Sequence, residues 1–278
     1  MTKWWAILAL AAAAVGGGAL FCDAQKATPA TPRAATAAAA SPSPATATPT
    51  LRPEVLARYP HDTEAFTQGL LWRNGHLFES TGLYGESSLR EVDLRTGTVV
   101  RRHDLPADLF GEGLAAVRDH LVQLTWKHGT ALVWRTADFS VARQFAYEGE
   151  GWGLCFDGEH LVMSDGSDRL VFRDPDSFAV ARTVHVTRDG APVRALNELE
   201  CVDGAVYANV WQTDEIVRID PRTGRVEATI DAGGLLDAAS RGHADVLNGI
   251  AFVPETGHFL ITGKLWPWVF EVRWVPRR

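Results

Sequence analysis

The sequence GEGLAAVRDHLVQLTW, residues 111–126, contains a short phrase that the chain repeats five times. Each copy has a small or apolar anchor, an apolar stretch, a turn and a second apolar run. The five anchors are Gly69, Gly113, Gly153, Leu199 and Gly249, which lie 44, 40, 46 and 50 residues apart. A period of about 40–50 residues built from short strands is typical of a propeller blade. The sequence therefore predicts an all-β fold, a five-bladed β-propeller.

A second hairpin follows the first one in the repeats. Residues 89–94, for example, lead through Arg95-Thr96-Gly97 into residues 98–100, and the glycine supplies the positive φ that such a turn needs. Two hairpins per period predict four-stranded antiparallel blades. The last period ends near residue 272 with little chain left for an outer strand. We therefore expect residues 55–59 to complete this blade, so that the ring has no open edge.

Two segments precede the predicted propeller. Lys3 and the uncharged apolar run of residues 4–20 predict a signal peptide over residues 1–25, with a retained N-terminal anchor as the alternative, because about 17 residues is borderline for a membrane span. Residues 26–52 are rich in Ala, Thr, Pro and Ser, which predicts a disordered linker. Residues 53–278 form the predicted catalytic domain. We expect an exported protein, periplasmic or secreted, whose only membrane contact would be an uncleaved anchor.

The charge of the predicted domain argues against nucleic acid as a partner. Residues 1–52 contain four of the 27 basic and one of the 34 acidic residues, which leaves 23 basic and 33 acidic residues and a net charge of −10. Phosphate backbones require clustered Lys and Arg. An acidic surface instead favours positively charged peptides.

Two cysteines lie in the predicted domain, Cys155 and Cys201. An exported protein could join them in a disulfide. Each, however, occupies the same slot, two residues beyond its anchor, on the predicted inner strands of adjacent blades. This placement favours two buried free thiols that pack as small apolar side chains.

The inner strand of each blade lines the central channel, so residues at its start should meet at one mouth of the channel. The residues just before the anchors are Gln68, Glu112, Trp152, Asn197 with Glu198, and Asn248. Because paired strands run antiparallel, the ends of the second strands should lie at the same side. Those ends carry Glu79, Trp126, Asp165, Trp211 and Lys264. The repeat thus predicts a pocket with three tryptophans, a carboxylate and a lysine.

At these positions the chain resembles the plant and bacterial glutaminyl cyclases (glutamine cyclotransferases), which are five-bladed propellers. The phrases that carry the resemblance span residues 66–267: FTQGL at 66–70, ESTGLYG at 79–85, FGEGL at 110–114, QLTWK at 123–127, EGEGWGL at 148–154, MSDGS at 163–167, LNELE at 196–200, ANVW at 208–211, LNGIA at 247–251 and TGKLWP at 262–267. The resemblance implies a glutaminyl-peptide cyclotransferase, which converts the N-terminal glutamine of a peptide or protein to pyroglutamate and releases ammonia.

The resemblance also implies the residues of the site. Glu112 corresponds to the catalytic acid/base of the family. The other matching pocket residues are Phe66, Gln68, Phe110, Trp126, Trp152, Asn197, Trp211 and Lys264. Because the reaction is intramolecular, aromatic walls would hold the glutamine side chain in its folded, near-attack shape. Lys264 or Asn197 would stabilise the developing oxyanion, and Gln68 would orient the substrate; the residues alone do not divide these duties.

The sequence also bears on cofactors and on other functions. It contains no Gly-rich phosphate loop, HExxH or paired CxxC motif. The resemblance implies that no cofactor is required for catalysis, although a metal ion in the central channel is known in the family; here it would be a structural Ca or Zn ion. Two alternatives remain open. One is a calcium-dependent lactonase with Glu79, Asn197, Asn248 and Asp165 as ligands, and the other is a non-catalytic peptide-binding propeller. We expect a monomer.

Overall fold

The structure, a computed structural model, describes residues 47–277, which form 22 β-strands and no helix. The predicted leader of residues 1–25 and most of the predicted linker lie outside the described residues. In the described part, no helix has the length and apolar character needed to cross a membrane.

The strands follow one another along the chain with short connections. In chain order they are β1 (Thr50–Pro60), β2 (Thr67–Arg73), β3 (His76–Thr81), β4 (Ser88–Asp93), β5 (Thr98–Asp104), β6 (Gly111–Val117), β7 (His120–Thr125), β8 (Thr130–Arg135), β9 (Val141–Ala146), β10 (Leu154–Phe156), β11 (Leu161–Met163), β12 (Arg169–Arg173), β13 (Val180–His185), β14 (Thr187–Arg188), β15 (Ala191–Pro192), β16 (Leu196–Val202), β17 (Ala205–Val210), β18 (Glu215–Ile219), β19 (Val226–Asp231), β20 (Leu247–Val253), β21 (His258–Gly263) and β22 (Trp268–Pro276).

Five four-stranded antiparallel blades are built from these strands, as the repeat predicts. Blades 1 to 4 are β2–β5, β6–β9, β10–β13 and β16–β19, each in sequential order from the inner to the outer strand. Blade 5 is β20, β21, β22 and β1, and the short hairpin β14–β15 lies outside the blades. Each inner strand packs against that of the next blade, and β20 packs against both β16 and β2. The five blades therefore form a closed ring.

Strand β1 closes the ring, and it begins earlier than the sequence predicts. It pairs antiparallel with β22 from Leu51 opposite Pro276 to Pro60 opposite Trp268, so the predicted completion of the last blade is confirmed. Its first residue, Thr50, also pairs in parallel with Thr229 of β19. The prediction that residues 50–52 belong to the linker is therefore wrong. Composition indicates a linker there, but two neighbouring strands supply hydrogen-bond partners that outweigh the local signal.

The hydrophobic core is divided among the blades. Five clusters of buried apolar side chains fill the five spaces between adjacent blades. Between blades 1 and 2, for example, Leu89 packs with Leu121 and the fully buried Trp134. Because each blade is covered on both faces by its neighbours, blades 1 and 5 bury their full apolar surface only when the ring closes.

The glycine anchors mark places where neighbouring inner strands pass too closely for a side chain. A Cβ on Gly69 would lie 2.6 Å from the backbone nitrogen of Leu114, and one on Gly113 would lie 2.6 Å from the carbonyl carbon of Gly153. Substitution at either position would therefore push two blades apart. This close approach explains why the phrase repeats a glycine at a fixed position.

Blade 4 breaks the glycine pattern, and the register corrects its predicted anchor from Leu199 to Glu198. Leu199 is the first residue paired after the start of β16, as Leu114 is in β6, so Glu198 occupies the slot of Gly113. Its fully buried carboxylate accepts hydrogen bonds from the backbone N–H groups of Leu70, at 3.3 Å, and Ile250, at 2.8 Å. Glu198 thus joins blade 4 to blades 1 and 5. Burial, with the charge of Glu200, raises its pKa well above the ordinary value.

The two domain cysteines form a disulfide, so the prediction of free thiols is wrong. Cys155 on β10 and Cys201 on β16 are bonded, with their Cα atoms 5.5 Å apart. Adjacent inner strands converge toward the channel, which brings equivalent slots within the range for a disulfide. Closing a loop with a sequence separation of 46 residues stabilises the fold by about 4 kcal/mol in the chain-entropy account.

Candidate active site

The inner strands share a distortion at one mouth of the channel. In β2, β6, β16 and β20 the pairing register shifts at the first residues, as it does between Gly111 and Leu114. A β-bulge of this kind breaks the regular alternation and re-aims a side chain. The residues at these four shifts include Gln68, Glu112, Asn197 and Asn248. The bulges therefore place polar side chains at the channel mouth, where regular strands would place apolar ones.

All nine predicted site residues line a single cavity of about 300 Å³. The nine are Glu112, Lys264, Asn197, Phe66, Gln68, Phe110, Trp126, Trp152 and Trp211. The same cavity is lined by two residues that sequence reasoning missed, Leu83 and Asp245. Leu83 has a φ of 84°, which is unusual for a bulky side chain and gave no signal in the sequence.

Glu112 lies at the polar end of this cavity and is held by a chain of amides. Nε2 of Gln68 donates a hydrogen bond of 2.8 Å to Oε1 of Glu112. Nδ2 of Asn248 donates to Oε1 of Gln68, at 3.2 Å, and to the carbonyl oxygen of Thr67, at 3.0 Å. Because Nδ2 of Asn248 also donates to a backbone carbonyl oxygen, the nitrogen and oxygen of the Asn248 amide can be told apart. The donor at Nδ2 then requires that Gln68 turn its Oε1 toward Asn248 and its Nε2 toward Glu112. Both Nε2 and Oε1 of Gln68 therefore have hydrogen-bond partners within the protein.

Two of the ionisable groups that line the cavity, Glu112 and Lys264, influence one another. Burial raises the pKa of Glu112 well above its ordinary value, while the nearby Lys264 lowers it and the charge of Glu150 raises it further. Burial lowers the pKa of Lys264, against the attraction of Glu112 and Asp245. The ammonium of Lys264 also lies 4.7 Å from the centre of the Phe66 ring. The cavity therefore holds a carboxyl group whose pKa is raised by burial, beside the amine of Lys264.

Asn197 presents an acceptor in the same cavity. Its side chain is only 2 % exposed, and its Oδ1 has no hydrogen-bond partner among the residues of the described chain. A buried acceptor without a partner is costly, so it marks a position where a donor from a bound molecule would be favourable.

The aromatic residues form two groups of packed rings around the polar side chains. Phe110 packs against Phe66 at 6.2 Å and against Trp126 at 5.5 Å, measured between ring centres. Trp152 meets Trp211 edge to face at 5.4 Å. Trp211 is 38 % exposed and lies at the rim, whereas Glu112 is 4 % exposed. These rings leave the carboxyl group accessible only through the cavity.

Two residues predicted at the strand ends do not line the cavity. Within its blade, Glu79 takes the position that Gln123 takes in blade 2, three residues before Trp126. The position equivalent to Trp126 is therefore occupied by Gly82 in blade 1 and, by the same count, by Gly166 in blade 3. A Cβ on either glycine would come within 2.7 Å of an aromatic ring, that of Phe110 for Gly82 and that of Trp152 for Gly166. These glycines make room for the aromatic rings.

Glu79 and Asp165 instead make structural contacts. Oε1 of the buried Glu79 accepts hydrogen bonds from Thr67, at 2.7 Å, and from Nε2 of His61, at 3.0 Å. Asp165 pairs with Arg169 and accepts the hydroxyl of Ser167. The placement of Glu79 and Asp165 in the ring at the channel mouth was therefore wrong. The ligand set of the lactonase alternative is not assembled in this structure.

A structural Ca or Zn ion in the central channel stays a prediction. No group of three or more His, Cys, Asp or Glu side chains within residues 47–277 could hold a metal. The two oxygens of Glu198, which face the channel, already accept backbone N–H groups. We derive no step through a metal ion.

A family model, a curated protein and a solved structure all relate this chain to the same family. The family model for glutamine cyclotransferase matches residues 28–274. A curated glutaminyl-peptide cyclotransferase from Arabidopsis thaliana is 43% identical over 226 residues, which are 79% of this chain and 70% of that protein. The crystal structure of the Myxococcus xanthus glutaminyl cyclase is 42% identical and superposes with a TM-score of 0.78, over 83% of this chain and 99% of that one.

Proposed function

The chain belongs to the glutamine cyclotransferase family, and we propose that it is a glutaminyl-peptide cyclotransferase in which Glu112 is the general acid/base. The substrate is a peptide or protein with an N-terminal glutamine. Its α-amine attacks the carbonyl carbon of its own side-chain amide, a five-membered lactam forms, and ammonia leaves. The observation that carries this proposal is a single buried carboxyl group, held by Gln68, inside an aromatic cavity.

The cavity suits an intramolecular reaction. The substrate supplies both reacting groups, so the enzyme gains rate by holding them in contact, and effective molarities for such arrangements reach about 10⁵–10⁸ M. A glutamine side chain is short, and rings from Phe110, Trp126 and Trp152 surround the space it would fill. The free α-amine has a pKa of about 7.7–8.0, so a neutral fraction is present near neutral pH.

Glu112 moves the proton. After attack, the α-nitrogen carries an extra proton, which the Glu112 carboxylate takes. The protonated Glu112 then donates it to the amide nitrogen, the C–N bond breaks, and ammonia departs with Glu112 restored. A carboxyl group whose pKa is raised by burial takes up a proton at working pH more readily than an ordinary carboxylate does and can then return it, which suits both halves of this cycle.

The contacts of the polar neighbours support a different duty for each of them. Gln68 donates to Oε1 of Glu112, which leaves Oε2 for proton transfer, so we assign Gln68 to positioning Glu112. Oδ1 of Asn197 lacks a partner within the described residues and accepts an N–H of the substrate amine. Lys264, the cation of the cavity, stabilises the oxyanion that forms on the attacked carbonyl, a contribution of about 2.7–4 kcal/mol for a well-placed donor.

We further propose that the protein is exported and works as a monomer without a required cofactor. The apolar run at residues 4–20 supports export, and so does the Cys155–Cys201 disulfide, since disulfides persist in oxidising compartments. The net negative charge of the domain favours peptides that are basic beyond their first residue.

Ammonia release from a Gln-initiated dipeptide tests the function. The enzyme should release one ammonia per peptide, and the product should lose the mass of one ammonia and resist N-terminal sequencing. The same dipeptide with an acetylated N-terminus is the matched control, because its nitrogen is no longer a nucleophile. Binding of the free dipeptide without ammonia release would favour the non-catalytic alternative.

A further inference from the structure

Glu150 joins two walls of the cavity without lining it. Its Oε2 atom accepts a hydrogen bond from the indole nitrogen of Trp126, at 2.8 Å, and a second from that of Trp152, at 3.0 Å. Trp126 follows β7 in blade 2, whereas Trp152 precedes β10 in blade 3. One carboxylate oxygen therefore connects aromatic residues from two different blades.

An indole N–H has one direction, so the position of its acceptor fixes the plane of the ring. A tryptophan at a half-open cavity could otherwise rotate about its two side-chain torsions. The bonds to Glu150 are charge-assisted, and such bonds are about twice as strong as neutral ones. Both donors depend on the same oxygen, so the two ring planes are set together.

Lys127 stabilises the negative charge of Glu150. Nζ of Lys127 lies 3.6 Å from Oε1 of Glu150 and 3.9 Å from the centre of the Trp126 ring. Trp126 is thus held at its edge by the carboxylate and on its face by the ammonium. Trp152 packs against Gly166 and meets Trp211 edge to face. Glu150 supplies the contact that joins these two supported rings.

We propose that Glu150 is a positioning residue that fixes the planes of Trp126 and Trp152, and thereby the folded shape in which the substrate glutamine reacts. This inference rests on the proposed function. Glu150 touches neither the substrate nor the reacting atoms in this account. A misplacement of about 1 Å in such a site can cost a factor of about 10² in rate, even when the change lies outside the chemistry.

Three substitutions separate the position of the oxygen from its charge. Glu150→Ala removes the acceptor, and we expect kcat to fall by about 10²-fold. Glu150→Asp keeps the charge but shortens the reach, so it should behave like the alanine variant. Glu150→Gln keeps a carbonyl oxygen at the same reach and should lose about tenfold or less, because neutral hydrogen bonds replace charged ones. Glu148→Gln and Glu148→Ala are matched controls on the same loop, since Glu148 is exposed, and both should keep the wild-type kcat.

A structural readout tests the inference independently of turnover. In ¹H–¹⁵N spectra, two indole N–H resonances, those of Trp126 and Trp152, should shift together in the alanine and aspartate variants and stay in place in the Glu148 variants. Unshifted resonances would overturn the inference, as would wild-type kcat in a folded Glu150→Asp variant. A wild-type protein that released no ammonia would instead refute the proposed function, and the spectra would still decide whether Glu150 holds the two rings.

Discussion

Replacing Glu112 with glutamine should abolish most turnover while leaving the fold at least as stable. The substitution keeps the size of the side chain and one carbonyl oxygen. The hydrogen bond of 2.8 Å from Gln68 can therefore persist in the variant. What the variant loses is the ability to take up and return a proton.

The size of the kinetic effect follows from that single loss. General acid–base catalysis by a positioned side chain contributes about 10²–10⁴-fold, which corresponds to about 2.7–5.4 kcal/mol in the barrier. We expect kcat to fall within this range and KM to change little, since the aromatic walls are unaffected. Glu112→Ala makes a useful contrast, because it also leaves the buried Gln68 donor unpaired, at a cost of about 1–3 kcal/mol in stability.

The expected effect on stability has the opposite sign. The pKa of Glu112 is raised well above 4.5 by burial, even after the attraction of Lys264. The folded protein therefore binds this proton more tightly than the unfolded chain does. Wild-type stability falls as the pH rises from the unfolded pKa toward the folded one, because the carboxylate must then ionise while buried. A neutral glutamine avoids this cost, so the Tm of the variant at neutral pH should equal or exceed that of the wild type.

The assay combines ammonia release with thermal unfolding followed over a series of pH values. In the wild type, the acid limb of kcat/KM should combine the Glu112 ionisation, which lies above the ordinary carboxyl range, with that of the substrate α-amine, whose pKa is about 7.7–8.0. In Glu112→Gln only the contribution of the amine should remain. A folded Glu112→Gln variant with near-normal turnover would remove Glu112 from the mechanism. A variant that is markedly less stable than the wild type would contradict the electrostatic account.

Three other results are expected. Lys264→Met should lower kcat by about 10²–10³-fold and move the acid limb to higher pH, because Lys264 lowers the pKa of Glu112; an unmoved limb would argue that the two groups do not interact. For His61, burial lowers the pKa, but the charge of Glu79 and the bonds to Glu79 and the Trp266 carbonyl outweigh burial and raise it above 6.5. The stabilisation by protonated His61 is then complete below pH 6.5 and is lost as the pH rises through the folded pKa. The Tm difference between the wild type and His61→Gln should therefore shrink at alkaline pH. A difference that stays constant with pH would show that the imidazole stays neutral. Treatment with a chelator should leave kcat unchanged, and activity that returned only with added Ca or Zn would contradict a metal-independent reaction.

The ring and the cavity residues could be predicted from the sequence because both depend on the repeat. Each period supplies one inner strand, and the residue before its anchor reaches the channel mouth whatever the details of the blade. Glu112, Trp152 and Asn197 could thus be grouped although they are far apart along the chain. The family resemblance added Phe66 and Phe110, which the repeat alone does not distinguish from core residues.

The sequence could not reveal features that depend on register or on contacts between blades. The positions of Glu79 and Asp165 are a different case, because Gly82 and Gly166 follow Gly69 and Gly153 by the same 13 residues that separate Trp126 from Gly113, and this spacing already places the glycines in the slot of Trp126. The disulfide was missed because the distance between adjacent inner strands is not a property of either strand. Glu150 lies in the phrase EGEGWGL of residues 148–154, but only the structure shows its hydrogen bonds with the indoles of Trp126 and Trp152.

The shape of the site follows from unequal filling of five equivalent slots. Blades 2, 4 and 5 place Trp126, Trp211 and Lys264 at the ends of their second strands, whereas blades 1 and 3 place glycines there. Five large side chains would close the channel mouth, and five glycines would leave it open to water. Because each glycine admits a ring from another position in the repeat, the mouth becomes a cavity with aromatic sides that also contains Glu112 and Lys264. The enzyme site is therefore a break in the symmetry of the same repeat that builds the fold.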